Sequence, residues 1–86
     1  MAKVTIYTTP ICPYCVFAKR LLQQKGVEYN EVNVAFDSNL REEMIRRASG
    51  RMTVPQIFVG ITHVGGYHEL HALDRDGKLD PLLASS

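Results

Sequence analysis

No apolar run in this chain approaches the roughly 20 residues that a membrane-spanning helix needs. The first residues, MAKVTIYTT, carry one lysine and an alternating pattern, and they lack the apolar centre of a secretory leader. The cytoplasm is therefore the expected location, with no membrane partner. Charge of one sign is also missing. Ten basic residues face nine acidic ones, a formal net charge of +1, which gives no electrostatic case for a general nucleic-acid binder. The densest basic group, Arg46, Arg47 and Arg51, suits a solvated helix face as well as an anion site. Tryptophan is absent, and the two cysteines allow one disulfide at most. A small secreted scaffold held by disulfides usually carries more. Repeats, linkers and low-complexity segments are absent too, so one domain with a small core is expected over residues 1–86.

What is present reads as alternating strands and helices. In KVTIYTT, Val4, Ile6 and Thr8 alternate with Thr5, Tyr7 and Thr9, which predicts a strand ended by Pro10. From Cys12 to Lys25 the period becomes helical. Phe17, Ala18, Leu21 and Leu22 form its apolar face, and Gly26 suits its C-terminal cap. VEYNEVNV predicts a second strand with imperfect alternation, and FDSNLREEMIRRAS a second helix capped by Ser38 or Asn39, with Asn39 and Glu42 at capping-box spacing. Leu40, Met44, Ile45 and Ala48 give that helix its inner face. PQIFVG and THVGG predict two short strands joined by a turn at Gly60–Ile61. YHELHALDRDG then predicts a short helix, and KLDPLLASS a last turn and fraying tail whose Leu79, Leu82 and Leu83 could dock on the sheet. The order β-α-β-α-β-β-α implies a parallel pair across the first helix and an antiparallel hairpin near the end. The fold class is α/β, a mixed four-stranded sheet flanked by helices.

The chemistry-bearing feature is the pair Cys12 and Cys15, which opens the first helix directly after the first strand. A sulfur at a helix N-terminus faces unpaired backbone N–H groups and the positive end of the helix dipole. That environment lowers a thiol's pKa and favours the nucleophilic thiolate. Cys15, one turn further in, lies on the same side and more shielded. The spacing makes Cys12 the attacking and Cys15 the resolving thiol. Pro13 fits the first turn, where its missing N–H has no helical acceptor to lose. Two other readings compete. A zinc site wants four ligands, and only His63, His68 and His71 stand in reserve, far downstream and not in finger order. A structural bridge between residues three apart closes a tiny loop and removes little unfolded-state entropy.

CPYC at 12–15, TVPQIF at 53–58, the glycine pair Gly65–Gly66 and the REEMIRRASGR helix are together similar to the small bacterial dithiol glutaredoxins, those of the glutaredoxin 3 kind above all. The resemblance covers essentially the whole chain. It implies a thioredoxin fold and a glutathione-disulfide oxidoreductase that reduces protein disulfides and glutathione mixed disulfides. Glutathione would be the reducing co-substrate, with no metal needed. It also implies that Tyr14 lines a glutathione groove, that Thr53 and Val54 precede a cis-proline at Pro55, and that the Val54 backbone pairs with the cysteinyl unit. Gly65 and Gly66 would let the backbone approach the γ-glutamyl end, beside His68 and Glu69. The implied partners are disulfide-containing or glutathionylated proteins, among them a ribonucleotide reductase, and the implied state is a monomer.

Two positions depart from that family. Where it commonly has paired aspartates after the glycines, this chain has His68 and Glu69, and where many relatives have lysine it has Thr9. An aspartate at position 68 would pair with the glutathione α-ammonium, whereas a neutral histidine cannot. Glu69 could compensate, and Arg41 or Arg51 could stand in for the missing lysine. These departures keep open a thioredoxin-like branch regenerated by a flavoprotein. An iron–sulfur carrier, using one Cys12 and one glutathione from each of two monomers, is the alternative from another class. Pro13 and the competing Cys15 thiol argue against it.

Overall fold

The computed structural model describes residues 2–85, so Met1 and Ser86, the two ends of the expected domain and tail, lie outside the described residues. The elements run β1 (Val4–Thr8), α1 (Pro13–Gln24), β2 (Tyr29–Asn33), α2 (Ser38–Arg47), β3 (Gln56–Val59), β4 (Thr62–Gly65), α3 (Tyr67–Arg75) and α4 (Leu79–Ala84). The four strands form one sheet in the order β2-β1-β3-β4. β1 pairs parallel with β2 and antiparallel with β3, and β3 pairs antiparallel with β4. This is the mixed sheet that the element order implied.

β1 is central, and the alternation read in it serves two cores. Val4 and Ile6 join Ile57 and Val59 of β3 beneath Ala18 and Leu22 of α1, Leu70 of α3, and Leu79 and Leu83 of α4. Tyr7 and Phe58 point to the opposite face, where Met44 and Ala48 of α2 and Val34 close a second core. All five residues of β1 are therefore buried, including Thr5 and Thr8. The second core has a polar centre. The Tyr7 hydroxyl donates to Glu43 Oε2 at 2.7 Å and accepts from Arg47 Nη1 at 2.6 Å, while the Arg47 guanidinium lies 4.3 Å from the Phe58 ring centroid. Burial pushes the Tyr7 phenol up, and the Glu43 acceptor adds to that, against the opposing pull of Arg47.

Several boundaries differ from the sequence reading. The cap of α2 is Asp37, whose carboxylate accepts from the N–H groups of Asn39 and Leu40 at 3.0 and 3.1 Å, not Ser38 or Asn39. Asp37 is itself a strong cap residue one position earlier, and its extended backbone frees its oxygens to turn back on the helix. β2 is shorter than VEYNEVNV because it is an edge strand. Its buried anchors, Val27 and Val34, flank it and point into different cores. The last segment forms the helix α4 rather than a turn, since Leu79 and Leu83 both reach the first core. Phe17 lies outward instead of on the apolar face of α1, at 42% exposure, because Tyr67 and Tyr14 offer it ring contacts at the surface.

Candidate active site

β1 delivers the chain to the N-terminus of α1 on the central axis of the sheet. Cys12 is the N-cap, in extended backbone with φ −152°, and Pro13 is the first helical residue. The two sulfurs are bridged, with the Cα atoms 5.2 Å apart. Cys12 Sγ accepts the Cys15 N–H at 3.1 Å, the hydrogen bond that an N-capping oxygen would normally take. Cys12 is partly exposed, whereas Cys15 is 1% exposed and packs with the core. Attacking and resolving roles thus have a physical basis in access. The described residues bring no three His, Cys, Asp or Glu side chains together as a metal-holding group.

The loop before β3 supplies the opposite wall. The Val54 carbonyl oxygen lies 3.8 Å from Cys12 Sγ, and the Val54–Pro55 bond is cis, as the resemblance implied. Gln56, fully buried at the start of β3, holds this loop by donating from Nε2 to the Thr53 carbonyl at 3.0 Å. Its Oε1 meets His63 Nε2 at 2.7 Å. The His63 ring also stacks on Phe58, with centroids 4.9 Å apart. Burial pushes the His63 imidazole down, Arg51 adds to that shift, and Glu69 opposes it. His63 is thereby a satisfied structural histidine. Neither Gln56 nor its role was read from the sequence, although an amide opening the otherwise apolar QIFV run is the signal that could have shown it.

The third wall is the N-terminus of α3. Glu69 Oε1 accepts from the Gly66 N–H at 2.7 Å and from Arg51 Nη1 at 2.9 Å. The first bond is one arm of a capping box, and glycine has no side chain to return the other. The Gly66 N–H holds the Glu69 carboxyl below the usual range against the cost of burial, and Arg51 lowers it further. Gly65 sits at φ +114°, and a Cβ there would stand 2.6 Å from Glu69 Oε1. This position needs glycine both for its backbone and for that approach.

Glu69→Gln tests this pairing through pH. A depressed carboxylate contributes stability that is present above its unfolded pKa and lost as pH falls through its folded pKa. At pH 7 the variant is expected to be less stable by about 0.5–1 kcal/mol, the size of a charge at an exposed helix N-terminus. The difference should close as the solution is acidified below the ordinary glutamate range. Denaturant melts at both pH values check it, and a gap that persists in acid would contradict the ionic origin.

All seven residues expected to hold glutathione line one groove of about 220 Å³: Tyr14, Thr53, Val54, Pro55, Gly66, His68 and Glu69. Arg51 and Tyr67 complete its walls. Tyr14 stacks against Tyr67 with centroids 6.2 Å apart and tilts against His68 at 5.1 Å. Of the two arginines considered for the missing lysine, Arg51 is in the groove, and Arg41 bonds the Met52 carbonyl at 3.2 Å. Tyr67 was not singled out from sequence; an aromatic opening a helix directly after a glycine pair was the available signal. A wider depression of about 600 Å³ lies at the starts of β1 and β2, the sheet end remote from the cysteines.

Comparison with known proteins places this geometry. The Glutaredoxin family profile matches residues 4–64. Glutaredoxin 3 of Escherichia coli strain K12 is 55% identical over 83 residues, which cover 96% of this chain and 99% of that one. The solution structure of glutaredoxin from Brucella melitensis superposes with a TM-score of 0.84 at 55% identity, over 96% of this chain and 89% of that one. The crystal structure of a buckwheat glutaredoxin–glutathione complex matches with a TM-score of 0.85 at 29% identity, over 95% of this chain and 76% of that one.

Proposed function

Because the chain belongs to the glutaredoxin family, with its thioredoxin fold and Cys12–Cys15 dithiol, we propose that the groove from Tyr14 to Glu69 holds glutathione with its sulfur at Cys12. The activity is that of a glutathione-dependent thiol–disulfide oxidoreductase, with glutathione as reducing co-substrate. The observation that carries the site assignment is the meeting of the partly exposed Cys12, at a helix N-terminus, with the Val54 carbonyl, whose residue lines the groove.

On a glutathionylated protein, the Cys12 thiolate attacks the glutathione sulfur. The old S–S bond breaks, and the protein sulfur leaves with the electron pair and takes a proton. A second glutathione thiolate then attacks the Cys12–glutathione bond, releasing the Cys12 thiolate and glutathione disulfide. On a protein disulfide, Cys12 first bonds the target sulfur. Cys15 then attacks Cys12 Sγ, the Cys12–target bond breaks, and the target leaves with both its sulfurs as thiols; two glutathiones reduce the resulting Cys12–Cys15 bridge and leave as glutathione disulfide. The Cys15 N–H stabilises the Cys12 thiolate in both routes.

In this reading Tyr14 walls the groove and the Val54 backbone pairs with the cysteinyl unit, on a loop that Thr53 and Pro55 shape. Gly66 lets the ligand approach, with His68 and Glu69 at the γ-glutamyl end. The chain works as one domain and as a monomer in the cytoplasm, and a ribonucleotide reductase is among its protein substrates. Family resemblance supports these points.

The test is turnover of a glutathionylated peptide by Cys15→Ser with glutathione as the only reductant. Retained turnover is expected, since Cys12 and bound glutathione complete that cycle alone. Lost turnover, in a protein whose wild type a flavoprotein reductase serves well, would move it to the thioredoxin-like branch.

A further inference from the structure

We infer that Gln56 and His63 are positioning residues for the disulfide exchange: bonded side chain to side chain, they hold the Thr53–Val54 segment against Cys12 and so set how well a glutathionyl group is seated. The inference rests on the glutathione groove proposed above. Gln56 is fully buried at the first position of β3, and its side-chain amide has one donating and one accepting end. The neighbours fix which end faces which way. The Thr53 carbonyl, 3.0 Å away, can only accept, so the Gln56 nitrogen points to it. Thr53 Oγ1 lies 3.3 Å from the same nitrogen. The Gln56 oxygen then faces His63 Nε2 at 2.7 Å, and the network requires that ring nitrogen to carry a proton.

His63 is itself anchored on the sheet. Its ring stacks on Phe58 with centroids 4.9 Å apart, and Phe58 meets the buried Tyr7 ring edge-on at 5.7 Å. A bulge lies beside this contact: Ile57 pairs with Gly65 and Phe58 with His63, which leaves Val64 without a partner between them. Such a bulge bends its strand and re-aims the neighbouring side chains. The contacts therefore run from the sheet through His63 and Gln56 to Thr53, and the next residue, Val54, puts its carbonyl oxygen 3.8 Å from Cys12 Sγ. Among the described residues the groove is lined by Thr53, Val54 and Pro55, and not by Gln56 or His63. Both act through the loop. Without the His63 donor the buried Gln56 oxygen is unpaired, which favours turning the amide away from Thr53.

The experiment uses the pre-reduced full chain in single turnover, with no added glutathione. One fluorescent peptide is offered as its mixed disulfide with glutathione and, separately, with mercaptoethanol, which is too small to fill the groove. The wild type is expected to react about tenfold faster with the glutathione conjugate, the size of one or two good groove contacts. His63→Phe keeps the ring stack on Phe58 but has no donor. It should slow the glutathione conjugate by about fivefold to tenfold and leave the mercaptoethanol conjugate within about twofold, since Cys12 itself is untouched. His63→Gln, whose amide nitrogen can stand where Nε2 stands, should restore the rate to within about twofold of wild type. Gln56→Met, similar in shape without the polar ends, should show the same selective loss, and adding His63→Phe to it should cost less than about a further twofold. A glutathione rate unmoved in His63→Phe would overturn the inference. So would equal losses on both conjugates, or losses that multiply in the double variant. A wild type with no preference for the glutathione conjugate would instead overturn the groove itself, and the inference with it.

Discussion

Cys12→Ser is expected to lose about a thousandfold or more in kcat/KM toward glutathionylated peptides, with an unchanged fold. The size follows from access and ionisation. Exchange needs a sulfur anion that an incoming disulfide can reach in line, and a serine hydroxyl does not ionise near neutral pH. Cys15 cannot take over, because within the first turn of α1 it faces the core and is only 1% exposed. The contrast with Cys15→Ser makes the result diagnostic. That variant keeps the monothiol cycle, whereas reduction of an intramolecular protein disulfide suffers, since no resolving thiol remains to release the target. Circular dichroism and a denaturant melt establish that both variants are folded. Turnover by Cys12→Ser within tenfold of wild type would mean that another group is the nucleophile.

The second large effect is expected in stability. Leu70 lies at the centre of α3 with no exposed surface and belongs to the core shared with α1, β1, β3 and α4. It anchors the helix whose first three residues, Tyr67, His68 and Glu69, form one wall of the groove. Leu70→Ala removes buried apolar atoms and leaves a cavity that the surrounding strands fill only in part, at a cost of about 2–5 kcal/mol. A domain of this size has roughly 5–15 kcal/mol in total, so the variant should melt at least about 10 °C lower. Because α3 would then seat less firmly, KM for a glutathionylated peptide should rise more than kcat falls. A melting point within about 3 °C of wild type would show that α3 can repack without Leu70.

The sequence made much of the site legible, for reasons that are local. The Cys12–Cys15 spacing places both sulfurs on one side of a helix turn, and Pro13 marks where that turn begins. Strand alternation in VTIYT and the buried period of Met44 and Ala48 were equally plain, and both hold in the structure. The cap of α2 was misplaced by one residue, because Asp37, Ser38 and Asn39 are all competent caps and local chemistry does not choose among them. Phe17 was assigned to the core because periodicity counts apolar residues, whereas the outward ring finds its partners in Tyr14 and Tyr67.

By itself, then, the sequence determined the order of elements as far as α3, the redox pair and its place at a helix mouth, since each depends on residues within a turn or a strand of one another. Tertiary structure alone decided the strand order β2-β1-β3-β4 and the burial of β1 on both faces. It also decided the fate of Glu69, whose carboxylate is held by an arginine 18 positions earlier in the chain. An ion pair between a loop and a helix N-terminus forms only when the sheet has brought both to one edge. That same convergence joins Tyr14 of α1, the Thr53–Pro55 loop and the start of α3 into a single groove beside Cys12.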